Sequence, residues 1–171
     1  IGKEIAKRAK KFNMKIYATR RLQKNRLSNK NVDLLLPLYE IDYLLNHSDY
    51  IVIACPLTYL TRNLINKKKF NIMNSNSILI NVSRGEIIDE KELINVLINK
   101  KIKGAALDVF NLEPLSKDSP LFNLNNVLLS PHIAGNFNNY QSNVIKAFEE
   151  NLNRYINHKS LRNRVCKKRQ Y

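Results

Sequence analysis

Short apolar runs separated by segments with helical spacing constrain this chain more than any other feature. YIVIAC (50–55), SILINVS (77–83), GAALDVF (104–110) and NVLLSPHI (126–133) lack the period-two alternation of a strand with one wet face. Between them, NKKKFNIMN (66–74) reads as a short helix. DEKELINVLINKKI (89–102) reads as a longer one, with acids in its first turn and lysines at its end, as the helix dipole favours. Strands without alternation that take turns with helices belong to parallel βαβ units, so the expected fold is an α/β open sheet.

The same pattern extends to both ends. In IGKEIAKRAKKF (1–12), Ile1, Ile5, Ala6, Ala9 and Phe12 recur at helical spacing opposite a lysine- and arginine-rich face. MKIYAT (14–19) is a short β-prone run, RRLQKNRLSNKNVD (20–33) reads as a loop, and LYEIDYLLNHSD (38–49) has helical spacing. From 138 onward the chain reads as one long amphipathic helix, NNYQSNVIKAFEENLNRYI, followed by a basic tail.

Composition narrows the function classes. The 171 residues, 44% of them hydrophobic, suffice for one core. No apolar run approaches the ~18 residues that suggest a membrane span, and no signal-peptide pattern is present. The two cysteines, Cys55 and Cys166, lie far apart, and a reducing cytoplasmic setting with no metal site is expected. The formal charge of +15 is concentrated at the two ends. Aromatic residues are not interleaved with it as a base-stacking surface requires, so neither nucleic acid nor membrane is an expected partner.

Ligands of an open parallel sheet gather at the carboxyl ends of its strands. The residues there are Arg20 and Arg21; Pro56, Leu57 and Thr58; Arg84 and Gly85; Asp108 and Glu113; and Pro131, His132 and Gly135. A histidine can donate or accept a proton near neutral pH, and a carboxylate against its ring raises its pKa and fixes its orientation. Glu113 and His132 are candidates for that pair. An arginine's planar fork grips a carboxylate in two places, which gives Arg84 a role with an acidic substrate. His47 and His158 are expected to be structural or solvated.

NVSRGEIIDEKEL, GAALDVFNLEPL and LLSPHIAG, in that order, together with CPLTYLTRNLIN, closely resemble the D-isomer-specific 2-hydroxyacid dehydrogenases. The resemblance runs from Ile1 to nearly Tyr171. It implies a Rossmann-like doubly wound parallel sheet lacking its first strand, with 1–137 forming a partial dinucleotide-binding domain. Residues 138–171 are then expected against a substrate domain or a dimer partner. By resemblance Arg84 binds substrate, Glu113 is the histidine's partner, and His132 is the proton donor and a cofactor neighbour. Cofactor contacts carry over to Cys55, Pro56, Thr61, Val82, Ser83, Asp108 and Gly135. Ile1 and Gly2 align with the end of the family's Gly-x-Gly-x-Ile-Gly fingerprint, whose helix N-terminus receives the pyrophosphate. The first two glycines and the preceding strand lie outside this sequence, so the 171-residue chain alone is expected to be unstable and inactive.

In NAD-specific relatives an acidic residue ends the strand after the fingerprint helix. Here Arg20 stands in that place beside Arg21, which favours NADPH over NADH. The expected activity is interconversion of a small 2-oxo acid and its D-2-hydroxy acid by a homodimer, in the manner of glyoxylate or hydroxypyruvate reductases. The alternative is an NAD(H)-sensing, corepressor-like regulator of the same fold.

Overall fold

The computed structural model describes residues 1–21, 23–168 and 170. Helix α1 (Gly2–Ala9) runs into a 3-10 turn at Lys10–Phe12 and stops at Asn13, whose φ of 58° is left-handed. Asparagine tolerates that conformation better than most residues. Strand β1 (Tyr17–Arg20) follows, then β2 (Leu27–Asn29), β3 (Val32–Pro37) and α2 (Ile41–Asn46). β4 (Tyr50–Ile53), α3 (Lys67–Phe70), β5 (Ile78–Asn81), α4 (Glu90–Ile98), β6 (Gly104–Leu107) and β7 (Val127–Leu129) continue the alternation. The long helix α5 (Tyr140–Ile156) comes last and has no buried residue.

Among the described residues the strands form two hydrogen-bonded sheets, one of three strands in the order β1-β3-β2 and one of four in the order β4-β5-β6-β7. All pairings in the larger sheet are parallel, as the βαβ reading requires. In the smaller sheet β1 and β3 are parallel, with Arg20 opposite Pro37, whereas β2 is antiparallel to β3. β1 and β4 each stand at the edge of their sheet.

The stretch 20–33, expected as loop, contains β2 and the start of β3. β2 escaped notice because its three residues are all exposed and carry no apolar pattern. It exists because the chain turns at 30–31, where the Asn29 side chain accepts the Asn31 N–H at 3.0 Å in a local Asx turn. The apolar run at 34–37, which the sequence reading passes over, is the buried end of β3, with Leu36 fully enclosed.

Caps set the helix starts. Asn66 accepts the N–H groups of Lys68 and Lys69 to open α3, and Asp89 accepts that of Glu92 to open α4. Leu93, Val96 and Leu97 of α4 pack into the core with Leu79 of β5, Ile51 and Ile53 of β4, Leu107 of β6 and Phe70 of α3. Each fully buried aliphatic side chain is worth about 1.5–3 kcal/mol, and this core holds the strand ends in fixed relation. Among the described residues no helix is long and apolar enough to cross a membrane.

Candidate active site

The site is built where β4 to β7 end. Asn81, the last residue of β5, is fully buried. Its Oδ1 accepts the Ser83 N–H at 3.0 Å and its Nδ2 donates to the Arg84 carbonyl at 2.9 Å, so one side chain braces the turn 82–84. The Ser83 hydroxyl donates to the Cys55 carbonyl, tying this turn to the one after β4. In that neighbouring turn the Thr61 hydroxyl donates to the Pro56 carbonyl at 2.7 Å and accepts the Thr58 N–H at 2.8 Å. Burial pushes the Cys55 thiol above its usual pKa, which keeps it protonated. Val82 is half-buried, while the Arg84 side chain reaches solvent.

Gly85 follows at a point of close approach. A β-carbon there would fall 2.0 Å from the carbonyl carbon of Phe110, so only glycine lets the Arg84 turn meet the chain leaving β6. That segment carries Glu113. Glu113 Oε1 accepts the Phe110 N–H at 3.0 Å, and Oε2 lies 2.6 Å from His132 Nδ1. The hydrogen bond to His132 lowers the Glu113 pKa most; the Phe110 N–H and the charges of His132 and Arg84 add to it. Glu113 is therefore an ionised acceptor at neutral pH, so the Nδ1 position carries the proton and Nε2 remains for other partners.

Asp108 holds the histidine's loop. Its Oδ1 accepts the Ser130 hydroxyl at 2.6 Å and the Ile133 N–H at 2.9 Å, and its Oδ2 accepts the Ala134 N–H at 3.0 Å. Burial alone would raise its pKa, but these hydrogen bonds and the nearby His132 outweigh burial and leave it lowered. Between those anchors His132 has a φ of 53°, a left-handed conformation that a non-glycine residue holds only when its surroundings impose it.

Of the residues named from sequence, Arg84, Glu113 and His132 come together at one rim, with Asp108, Ser83, Val82, Cys55, Pro56 and Thr61 in the turns around them. Gly2, at the start of α1, lies beside Ala54, since a β-carbon on it would sit 3.9 Å from the Ala54 side chain. This puts Ile1, Gly2 and a helix N-terminus without a side-chain cap next to the turn after β4. Gly135 lies on an exposed stretch, with nothing within 4 Å of where its β-carbon would be. Arg20 ends β1, on the other sheet, and Arg21 begins the turn after it. His47 is structural: it stacks on Tyr43 at 4.1 Å, and its Nδ1 lies 2.9 Å from the Tyr43 carbonyl.

Sequence reasoning missed Asn81 and Gln23, both buried polar residues, while Thr58, named after β4, is buried as well. For Asn81 a signal existed, a lone amide at the end of an apolar strand. Gln23 carries no such mark.

The uncapped α1 N-terminus, the strand-end turns and Arg20 at the end of β1 with Arg21 after it form a donor set suited to a dinucleotide's phosphates. A family model described as D-isomer specific 2-hydroxyacid dehydrogenase, NAD binding domain, matches residues 1–134. A glyoxylate reductase from Pyrococcus horikoshii is 43% identical over 133 residues, which is 78% of this chain and 39% of that protein. One from Korarchaeum cryptofilum is 35% identical over 89% of this chain and 45% of its own length. Among solved structures, an NADPH-dependent glyoxylate/hydroxypyruvate reductase from Sinorhizobium meliloti in complex with NADP and sulfate superposes with a TM-score of 0.89 at 26% identity. That match covers 99% of this chain and 54% of the other. The chain thus spans about two fifths to about half of these relatives' length.

Proposed function

We propose, from the premise that this chain belongs to the D-isomer specific 2-hydroxyacid dehydrogenase family, that it is the dinucleotide-binding part of an NADPH-preferring reductase of small 2-oxo acids such as glyoxylate. The observation that carries the reading is the 2.6 Å contact between His132 Nδ1 and Glu113 Oε2, beside Arg84, at the rim where the strands end.

Each residue's part follows from its chemistry. The reduced nicotinamide dinucleotide supplies the hydride when bound. Arg84, exposed and cationic, grips the substrate carboxylate with its planar fork and turns the carbonyl toward the histidine. Glu113 holds the ring so that Nε2 faces the substrate, and it stabilises the charged imidazolium that serves as acid. His132 gives its Nε2 proton to the carbonyl oxygen as negative charge develops there, and Glu113 loses a cationic neighbour but keeps its hydrogen bond. Asp108 keeps His132 in place. The first-turn N–H groups of α1, at Gly2 and Lys3, would hold the pyrophosphate, and Arg20 with Arg21 would hold an adenosine 2′-phosphate. The turns at Cys55, Pro56, Thr61, Val82, Ser83 and Gly135 would line the nicotinamide half.

Residues 138–171 are assigned to a contact with a substrate domain or the second subunit of a homodimer. Support comes from α5, where Val144, Ile145, Phe148 and Leu152 are all exposed. Steady-state kinetics of the full-length reductase of which this chain is the proposed part, with glyoxylate, hydroxypyruvate and pyruvate and with NADPH and NADH in turn, test the whole reading. The expected result is turnover favouring NADPH, with His132→Asn lowering kcat by about 10²- to 10⁴-fold. Turnover indifferent to His132 overturns the assignment.

A further inference from the structure

The geometry points to Gln23 as the residue that positions Arg20 for a 2′-phosphate, and so as a determinant of the choice between NADPH and NADH. This rests on the reading that Arg20 faces that phosphate. Arg20 ends β1 opposite Pro37, which is fully buried, so its main chain is held by the sheet. Its carbonyl accepts the Gln23 N–H at 3.1 Å, which closes the turn. Its side chain is held by the same residue: Nε donates to Gln23 Oε1 at 3.2 Å.

Gln23 is 7% exposed, although residues 24–30 after it are all exposed. An amide is withdrawn from water without penalty only when both its ends are bonded. The second end is satisfied: Gln23 Nε2 donates to the Asn25 carbonyl. That bond fixes which way the amide faces, so Oε1 must be the end presented to Arg20. With Nε occupied, the two terminal nitrogens of the guanidinium form the edge left for bidentate contact with a phosphate.

The neutrality of glutamine matters as much as its place. Arg8 lies 2.6 Å from Glu4, Arg26 2.6 Å from Glu40 and Arg162 2.6 Å from Glu150, each charge offset by a carboxylate. Arg20 is instead held by an uncharged acceptor, which sets its direction and leaves its full charge for an anion. Any side chain that held Arg20 equally well with a carboxylate would cancel the charge that distinguishes the two cofactors.

The test is calorimetric titration of the full-length reductase of which this chain is the proposed part with adenosine 2′,5′-bisphosphate and with 5′-AMP, which differ only in the phosphate at issue. Gln23→Met should weaken the bisphosphate about three- to tenfold, the size expected of a coupled pair, and leave 5′-AMP within about twofold. In an Arg20→Ala background the same change should add nothing. Gln23→Glu, which keeps the acceptor but adds a charge, should weaken the bisphosphate more than Gln23→Met does. Equal losses for both ligands, or a Gln23→Met effect that persists without Arg20, would show a merely structural role and overturn the proposal. If Arg20→Ala leaves the ratio of the two affinities unchanged, the reading of Arg20 falls first, a result distinct from failure at Gln23 alone.

Discussion

Gly85 and Phe110 meet main chain to main chain: a β-carbon on Gly85 would lie 2.0 Å from the Phe110 carbonyl carbon and 2.2 Å from its oxygen. Arg84 precedes that contact, and Glu113 bonds to the Phe110 N–H beside it, so one close approach brings the arginine turn and the glutamate segment together. Neither backbone can yield without moving a strand end. Gly85→Ala should therefore destabilise the protein by about 3 kcal/mol or more, the upper range of overpacking, and lower its Tm in a thermal melt. A melt unchanged from wild type would show that the two turns move apart freely.

Asn81 makes a second such link. Its amide serves the Ser83 N–H and the Arg84 carbonyl, both in a turn closed to water on the Asn81 side. Asn81→Leu keeps the branched shape of the side chain but leaves both groups without their partner, at a cost of about 1–3 kcal/mol each. Denaturant unfolding should report a lower midpoint with an unchanged slope, since the surface exposed on unfolding is the same.

These links show which parts of the fold can be read from residue order. The parallel sheet was legible because YIVIAC, SILINVS, GAALDVF and NVLLS are apolar almost throughout, although burial is complete on one face only: Ile51, Ile53, Leu79 and Leu107 are buried, whereas Tyr50 and Leu128 are exposed. β2 was not, because Leu27, Ser28 and Asn29 form a strand through a turn and an edge, with no face to bury. Arg84, Glu113 and His132 could be placed at one rim because each directly follows a strand or sits a few residues beyond it. The pairing of Glu113 with His132 needed more. It depends on the close approach at Gly85 and on the grip of Asp108, neither of which has a local pattern. Buried amides such as Gln23 are harder still, since exposure alone distinguishes them from the polar residues that surround them.

Asp108 ties β6 to the histidine loop through three donors on two oxygens, and it is 4% exposed. Asp108→Asn retains one acceptor and presents an N–H₂ where donors already point. The expected loss is about 1–3 kcal/mol of stability, because one buried N–H or hydroxyl is left unbonded. His132 should then leave its left-handed conformation, so activity should fall further than stability does. Comparing kcat with the unfolding midpoint across Asp108→Asn and Leu93→Ala, a change in the hydrophobic core, separates the two effects: only the aspartate change should lower kcat out of proportion.

The pH dependence of stability follows from the same carboxylates. Glu113 and Asp108 both have folded pKa values below their ordinary ones of 4.5 and 3.8. A group that holds its proton less tightly when folded binds more protons when unfolded, so stability rises with pH across the interval between the two values. The contribution is complete above about pH 5, begins to fade as pH drops through 4.5 for Glu113 and 3.8 for Asp108, and is lost below the folded values. Glu113→Gln removes one of these titrations. Its unfolding free energy should fall less steeply than wild type between pH 5 and pH 3, even if it is lower at pH 7, because the proton-linked part is gone. Parallel curves for the two proteins would mean that Glu113 is not held ionised by His132, Phe110 and Arg84, and that the ring of His132 is oriented by something else.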